Sequence, residues 1–144
     1  MNDVARPDSG ANLAMAAAGF IGCPFRLQGR DPAHGLDCVG LVAVSLAAAG
    51  ISPKSPSGYG LRNLFVGQWL HFAAASGLAP SPGPIRTGDV VLMALGHGQH
   101  HLVIAESGSS VIHAHAGLGK VVRQPLDPQW RVVAKWHAAP QKGD

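Results

Sequence analysis

The chain of 144 residues carries 47% apolar and only 13% charged side chains, which excludes a disordered segment and suits one domain with a real core. Its formal charge of +3 would assist approach to an anionic polymer, but without a Lys/Arg block or an aromatic-basic stripe it argues against a nucleic-acid surface. Two cysteines are too few for a disulfide scaffold, and no apolar run approaches the ~20 residues needed to span a bilayer.

Residues 1–10 form a polar arm with Asp3, Arg6 and Asp8, lacking the basic leader and cleavage site of a secretory signal. A first helix is expected over Leu13–Ile21, capped by Asn12 or Ser9. A Gly/Pro-rich loop over Gly29–Gly35 leads to a second helix, Cys38–Ala49, terminated by Gly50. This helix is apolar nearly all round, so it belongs in the core, with Val42 and Leu46 packed beneath Cys38. Ser52–Gly60 is expected as an extended connection beside the groove rather than a domain linker. Leu64–Ala75 reads as a third helix, with Leu64, Trp69, Phe72 and Ala73 inward and His71 outward. Pro80–Pro84 breaks the chain before strands at about 89–95, 101–106, 110–115, 119–124 and 130–137. Helices followed by antiparallel strands indicate an α+β fold in a single domain over residues 1–144, whose 1–10 arm and 138–144 tail fray. Trp69, Trp130 and Trp136 are expected in the core rather than as a sugar-stacking platform.

The chemistry centres on Gly35-Leu36-Asp37-Cys38-Val39-Gly40-Leu41-Val42, a turn running into an apolar helix. Unpaired N–H groups and the helix dipole at that end favour negative charge, so Cys38 is expected to ionise more easily than an ordinary thiol. Cys23, between Gly22 and Pro24, reads as a small packed residue. Candidate bases are abundant, because five of the eight histidines crowd into positions 97, 100, 101, 113 and 115. His101 and His113 lie in two strand-like segments separated by Ser107-Gly108-Ser109, the pattern of a β-hairpin. If those three residues form the loop, Glu106 pairs with Ser110, and His101, Val103, His113 and His115 share one face. His101 and His113 are then neighbours across the ladder, whereas a loop of even length would separate them.

Taken together, these residues resemble the NlpC/P60 cysteine peptidases, papain-like hydrolases of bacterial cell-wall peptides, and the resemblance covers most of the chain. It rests on the loop Gly22–Gly29, the Asp37-Cys38 pair opening a buried helix, the strand start Thr87-Gly88-Asp89-Val90-Val91, a histidine at 101 beginning the next strand, and His113 within Ile112-His113-Ala114. It implies Cys38 as nucleophile, His101 as its base and His113 as the polar group orienting His101. By strand parity, His115 competes for that last role. Acyl transfer would proceed without a cofactor, with the Cys38 backbone N–H in the oxyanion hole. Two departures remove hydroxyls beside the substrate: Val39 stands where the family commonly has Ser, and Phe25 lies nearest the usual Tyr, with one extra residue before Cys38. Asp37, Phe25 and Val39 are therefore the substrate-side and oxyanion candidates, with helix capping the alternative for Asp37.

The implied substrates are peptidoglycan peptides. Short chains of this kind also resemble cell-wall peptidases of phage tails and gene transfer agents. The corresponding expectation is synthesis in the bacterial cytoplasm and incorporation into a tail or baseplate, with contacts to its proteins. Two rival readings remain open at this level. A zinc site of Cys38, His101, His113 and His115 has suitable ligand chemistry but no HExxH-type or paired-cysteine spacing. A catalytically idle wall-binding or tail-assembly module is the other. His97, His100 and His115 otherwise serve as polar residues at the cleft edge.

Overall fold

The computed structural model describes residues 9–51, 66–96 and 99–138. The Ser52–Gly60 connection, Leu64, His97, most of the N-terminal arm and nearly all of the C-terminal tail lie outside the described residues. Helix α1 spans Ser9–Ala18, α2 Cys38–Ala48 and α3 Val66–Ala75. Strands β3 (Leu78–Pro80), β4 (Val90–Gly96), β5 (Gln99–Ala105), β6 (Ser110–His115), β7 (Lys120–Pro125) and β8 (Arg131–Ala138) build one antiparallel sheet in the order β3-β8-β4-β5-β6-β7. The expected α+β class is therefore the observed one, with helices first and an antiparallel sheet after them.

Several boundaries differ from the sequence expectation. Helix α1 begins four residues before Leu13 and stops before Gly19. Gly10 in its first turn lets the helix sit directly against the sheet, since a Cβ there would strike the His137 ring and the Thr87 carbonyl. Within the expected 29–35 loop lie two minimal strands, β1 (Arg30–Asp31) and β2 (Gly35–Leu36), paired with each other. Pro80 does not simply break the chain: it ends β3, an edge strand on β8, where a missing N–H costs no central ladder bond. Phe72 and Ala73 of α3 are buried and His71 is exposed.

The sheet is packed on both faces, and strand alternation assigns the residues. Leu92, Leu102, Ile104, Ile112, Ala114 and Val121 meet Leu13, Val39, Leu41, Val42 and Leu46 of the helices. On the opposite face Val91, Met93, Val103 and Val111 form a smaller cluster with Ile85, Leu95, Leu126 and Trp130. Trp136 is a core residue, whereas Trp130 only flanks this second cluster. No helix among the described residues is long and apolar enough to cross a membrane.

Candidate active site

Helix α2 carries Cys38 at its first position, and the local sequence explains why the helix starts there. Asp37 is the N-cap, extended in backbone, and its carboxylate accepts the Gly40 N–H at 2.8 Å. The same carboxylate accepts the Gln28 N–H at 2.7 Å and an Arg30 guanidinium N–H at 3.2 Å. Gly40 lets the upstream loop close over this first turn, since a Cβ at 40 would collide with the Gly29 carbonyl. The turn that bears Cys38 is thus clamped by three polar contacts and one close backbone approach, and Leu41, Val42 and Leu46 anchor it from below.

The hairpin over β5 and β6 presents the histidines. The Glu106 N–H donates to the Ser110 carbonyl at 2.8 Å, and Ile104 and Ala105 pair with Ile112 and Val111. The three-residue loop therefore sets the expected parity. The same register run onward would place His101 opposite His115, leaving His113 its diagonal neighbour. Ladder pairing is limited to those two residue pairs, however, so the strands part toward the histidines. In an antiparallel ladder alternate amides face alternate neighbours. The Ala105 amide bonds to Asp89 on the β4 side, which turns the Leu102 amide toward β6. With the ladder open at that point, the Leu102 N–H donates to the Cys38 sulfur, as does the Val39 N–H. The thiol thus lies beside β5 at Leu102, the residue after His101, and packs against the main core.

His101 Nε2 and His113 Nδ1 are 2.7 Å apart, with the rings edge to face at a centroid separation of 4.8 Å. His113 Nε2 lies 2.6 Å from Gln124 Oε1 on β7. The Trp130 ring lies edge to face with both imidazoles, its centroid 6.2 Å from that of His101 and 5.5 Å from that of His113. Burial pushes the Cys38 thiol up to about 12, with the Leu102 and Val39 amides and the Arg30 charge opposing it. Burial, assisted by the neighbouring His113 and His115, holds His101 down at about 3. Burial also lowers His113, opposed by the bond to Gln124. The expectation that the helix start would acidify Cys38 is corrected here: loss of solvent around the sulfur outweighs the helix-terminal field. At neutral pH the site rests as a thiol beside two neutral imidazoles.

The sequence pattern of the NlpC/P60 family matches residues 22–136, which include this whole constellation. The chain belongs to the NlpC/P60 family. Its fold is similar to NlpC2 from Trichomonas vaginalis (17% identity, TM-score 0.67), over 97% of this chain and 49% of that one. It also resembles the NlpC/p60 domain of the peptidoglycan hydrolase SagA (23% identity, TM-score 0.58), over 85% of this chain and 95% of that domain. A third likeness is to the peptidoglycan hydrolase RipB from Mycobacterium tuberculosis (21% identity, TM-score 0.61; 92% and 65% covered). This chain thus spans about half the length of NlpC2 and nearly all of the SagA domain. No curated protein matches it.

Within this NlpC/P60 domain, Cys38 stands beside Leu102, the residue after His101, and His101 in turn contacts His113. His113, not His115, contacts His101; the His115 ring lies 5.4 Å from that of His113, and its Nδ1 accepts the Leu118 N–H at 3.0 Å. Asp37 is buried with its carboxylate turned onto the cap and loop, the contacts of a capping residue. The Val39 side chain is fully buried in the main core, so it does not line a substrate cleft as expected; only its backbone amide reaches the sulfur. Phe25 is half-buried, and its N–H donates to the Gly119 carbonyl at 2.8 Å. Cys23 and Cys38 are both free thiols, and Cys23 packs against the main core. His100 is half-buried on β5 opposite Ala94. Among the described residues no group of three or more His, Cys, Asp or Glu is arranged to hold a metal, and the facing nitrogens of His101 and His113 are engaged with each other. Gln124 and Trp130 escaped the sequence reading. A single Gln in an alternating strand reads as solvent-facing, and a Trp reads as core.

Proposed function

We propose that this chain is a cysteine peptidase or amidase that cleaves peptide bonds in bacterial peptidoglycan. The observation that carries the reading is a helix-start thiol held beside Leu102 on β5, the residue after His101, together with the 2.7 Å His101–His113 contact. Attack begins as the Cys38 proton passes to His101 and the sulfur adds to the substrate carbonyl. The resulting oxyanion is stabilised by the Cys38 backbone N–H at the start of α2. His101 then donates its proton to the leaving amine, and water releases the acyl group from the sulfur. His113 holds the His101 ring throughout, a task for a neutral acceptor. The neutral resting pair fits this sequence, because charge separates only as the sulfur adds to the carbonyl. Membership in the NlpC/P60 family and the fold shared with the hydrolases SagA and RipB support a wall peptide as substrate. Phe25 and the backbone around Val39 border the incoming peptide in this reading. Delivery within a phage-like tail, in contact with tail or baseplate proteins, is the physiological setting we propose, on the resemblance of such short chains to tail peptidases.

The elevated thiol also favours a second reading, an idle wall-binding module. One experiment decides between them: peptide release from purified peptidoglycan by wild type and Cys38→Ala, with and without a chelator. The peptidase reading expects release that needs Cys38 and survives chelation, and mass analysis then names the bond. Release abolished by chelation would revive zinc. Binding by both proteins with no release would favour the idle module or an enzyme waiting for its partner.

A further inference from the structure

The working of the Cys38–His101 pair depends on which ring nitrogen of each histidine carries a proton, and the hydrogen-bond chain behind the pair decides this. We infer that Gln124 is a positioning residue: its side-chain carbonyl selects the tautomers of His113 and His101 that leave His101 Nδ1 free to take the Cys38 proton. The inference rests on the peptidase reading for its purpose but not for its geometry.

The chain of atoms runs Gln124 Oε1, His113 Nε2, His113 Nδ1, His101 Nε2, with contacts of 2.6 Å and 2.7 Å. Gln124 directs its amide nitrogen to the Pro125 carbonyl at 3.4 Å, which leaves Oε1 facing the imidazole. An amide oxygen only accepts, so His113 Nε2 must hold a hydrogen. A neutral His113 then has a bare Nδ1, which accepts from His101 Nε2–H. His101 is neutral as well, so its Nδ1 carries the lone pair. Each tautomer is fixed by the one before it, and the last link is the general base. Reversing the Gln124 amide reverses every link: His113 Nδ1–H would donate to His101 Nε2, and His101 Nδ1 would bear a hydrogen and be unable to accept one from sulfur.

Two further features make the selection firm. Burial keeps His113 and His101 neutral at physiological pH, so neither ring escapes the choice by holding both protons. Trp130 packs edge to face with both rings, and an apolar neighbour there offers them no alternative acceptor. Gln124 lies opposite Val111 on the β6–β7 ladder, so its place beside His113 is set by the strand pairing.

The test uses the full chain with Cys23→Ala, so that Cys38 is the only thiol. Nitrogen-15 NMR of the histidine side chains reads the tautomers, and iodoacetamide alkylation at neutral pH reads the Cys38–His101 pair. Expected are protonated Nε2 at both His101 and His113 in wild type. Gln124→Leu should lose that pattern and slow alkylation about 10- to 100-fold, the usual scale for a misdirected base. Gln124→Glu, which keeps an acceptor in place, should stay within about threefold of wild type. A merely structural role for Gln124 would move melting temperature but neither the tautomer signals nor the rescue by Glu. Protonated Nδ1 on His101 in wild type, or alkylation of Gln124→Leu at the wild-type rate, would overturn the inference. Should Gln124→Leu not fold, the wild-type spectrum and the Glu variant still decide. Neither readout uses peptidoglycan, so a failure to cleave wall peptides would refute the substrate reading alone.

Discussion

Mild acid should weaken this fold through His101 in particular. Burial holds the imidazole at about 3, against 6.5 for an ordinary histidine, so between those values the unfolded chain binds a proton that the folded chain refuses. Stability rises with pH wherever the unfolded state carries more protons. The His101 contribution is thus intact above pH 6.5 and is lost progressively as pH falls toward 3. Each pH unit in that window costs about 1.4 kcal/mol, so moving from about pH 7.5 to about pH 5 removes about 2 kcal/mol. Urea unfolding of wild type and His101→Gln at both pH values isolates this loss, because His113 and the carboxylates are common to the two proteins. Wild type should lose about 2 kcal/mol more than the variant on acidification. Equal losses would mean that His101 accepts its proton in place at little cost, and the picture of a dry, neutral base would be wrong.

Two further substitutions test how the site is held. Gly40→Ala drives a methyl into the Gly29 carbonyl above the first turn of α2; thermal unfolding should show a loss of about 1–3 kcal/mol, and Cys38 alkylation should change with it, whereas wild-type values for both would mean that the loop does not clamp the turn. Asp89 is fully buried and accepts from Ser81 Oγ at 2.9 Å, the Arg86 N–H at 3.0 Å and His137 Nδ1 at 2.8 Å, with Lys135 Nζ at 3.6 Å. Asp89→Ala leaves the largely buried Lys135 without its counter-charge, so denaturant unfolding should register a loss of about 3–5 kcal/mol. A loss below about 1 kcal/mol would show that water reaches this cluster.

The parts of the site legible in the sequence were those governed by local rules. Asp37 before an apolar run marks a capped helix start, and the cap places Cys38 at the first helical position. Alternation marks β4 to β8, and the three residues Ser107-Gly108-Ser109 fix the parity that brings His101 and His113 to one face. The helix Val66–Ala75 follows from the spacing of its apolar residues, with Phe72 and Ala73 inward. What escaped was either too short for a period or set by distant chain. Strands of two or three residues, β1, β2 and β3, have no alternation to read. The place of β8 between β3 and β4 pairs residues 37 to 60 positions apart, and local signals carry no information about such pairing. The shortness of the β5–β6 ladder, only two residue pairs, is likewise not readable from alternation.

The sequence alone determined which residues could do chemistry and on which faces they stand, because capping and strand alternation act over three or four residues. The tertiary structure decided how they work. It made His113 rather than His115 the partner of His101, it brought Gln124 and Trp130 to the pair from β7 and the loop before β8, and it raised the thiol that the helix start was expected to acidify. Those outcomes depend on which surfaces cover a group and which donors reach it, and both are set only when segments far apart in the chain pack together.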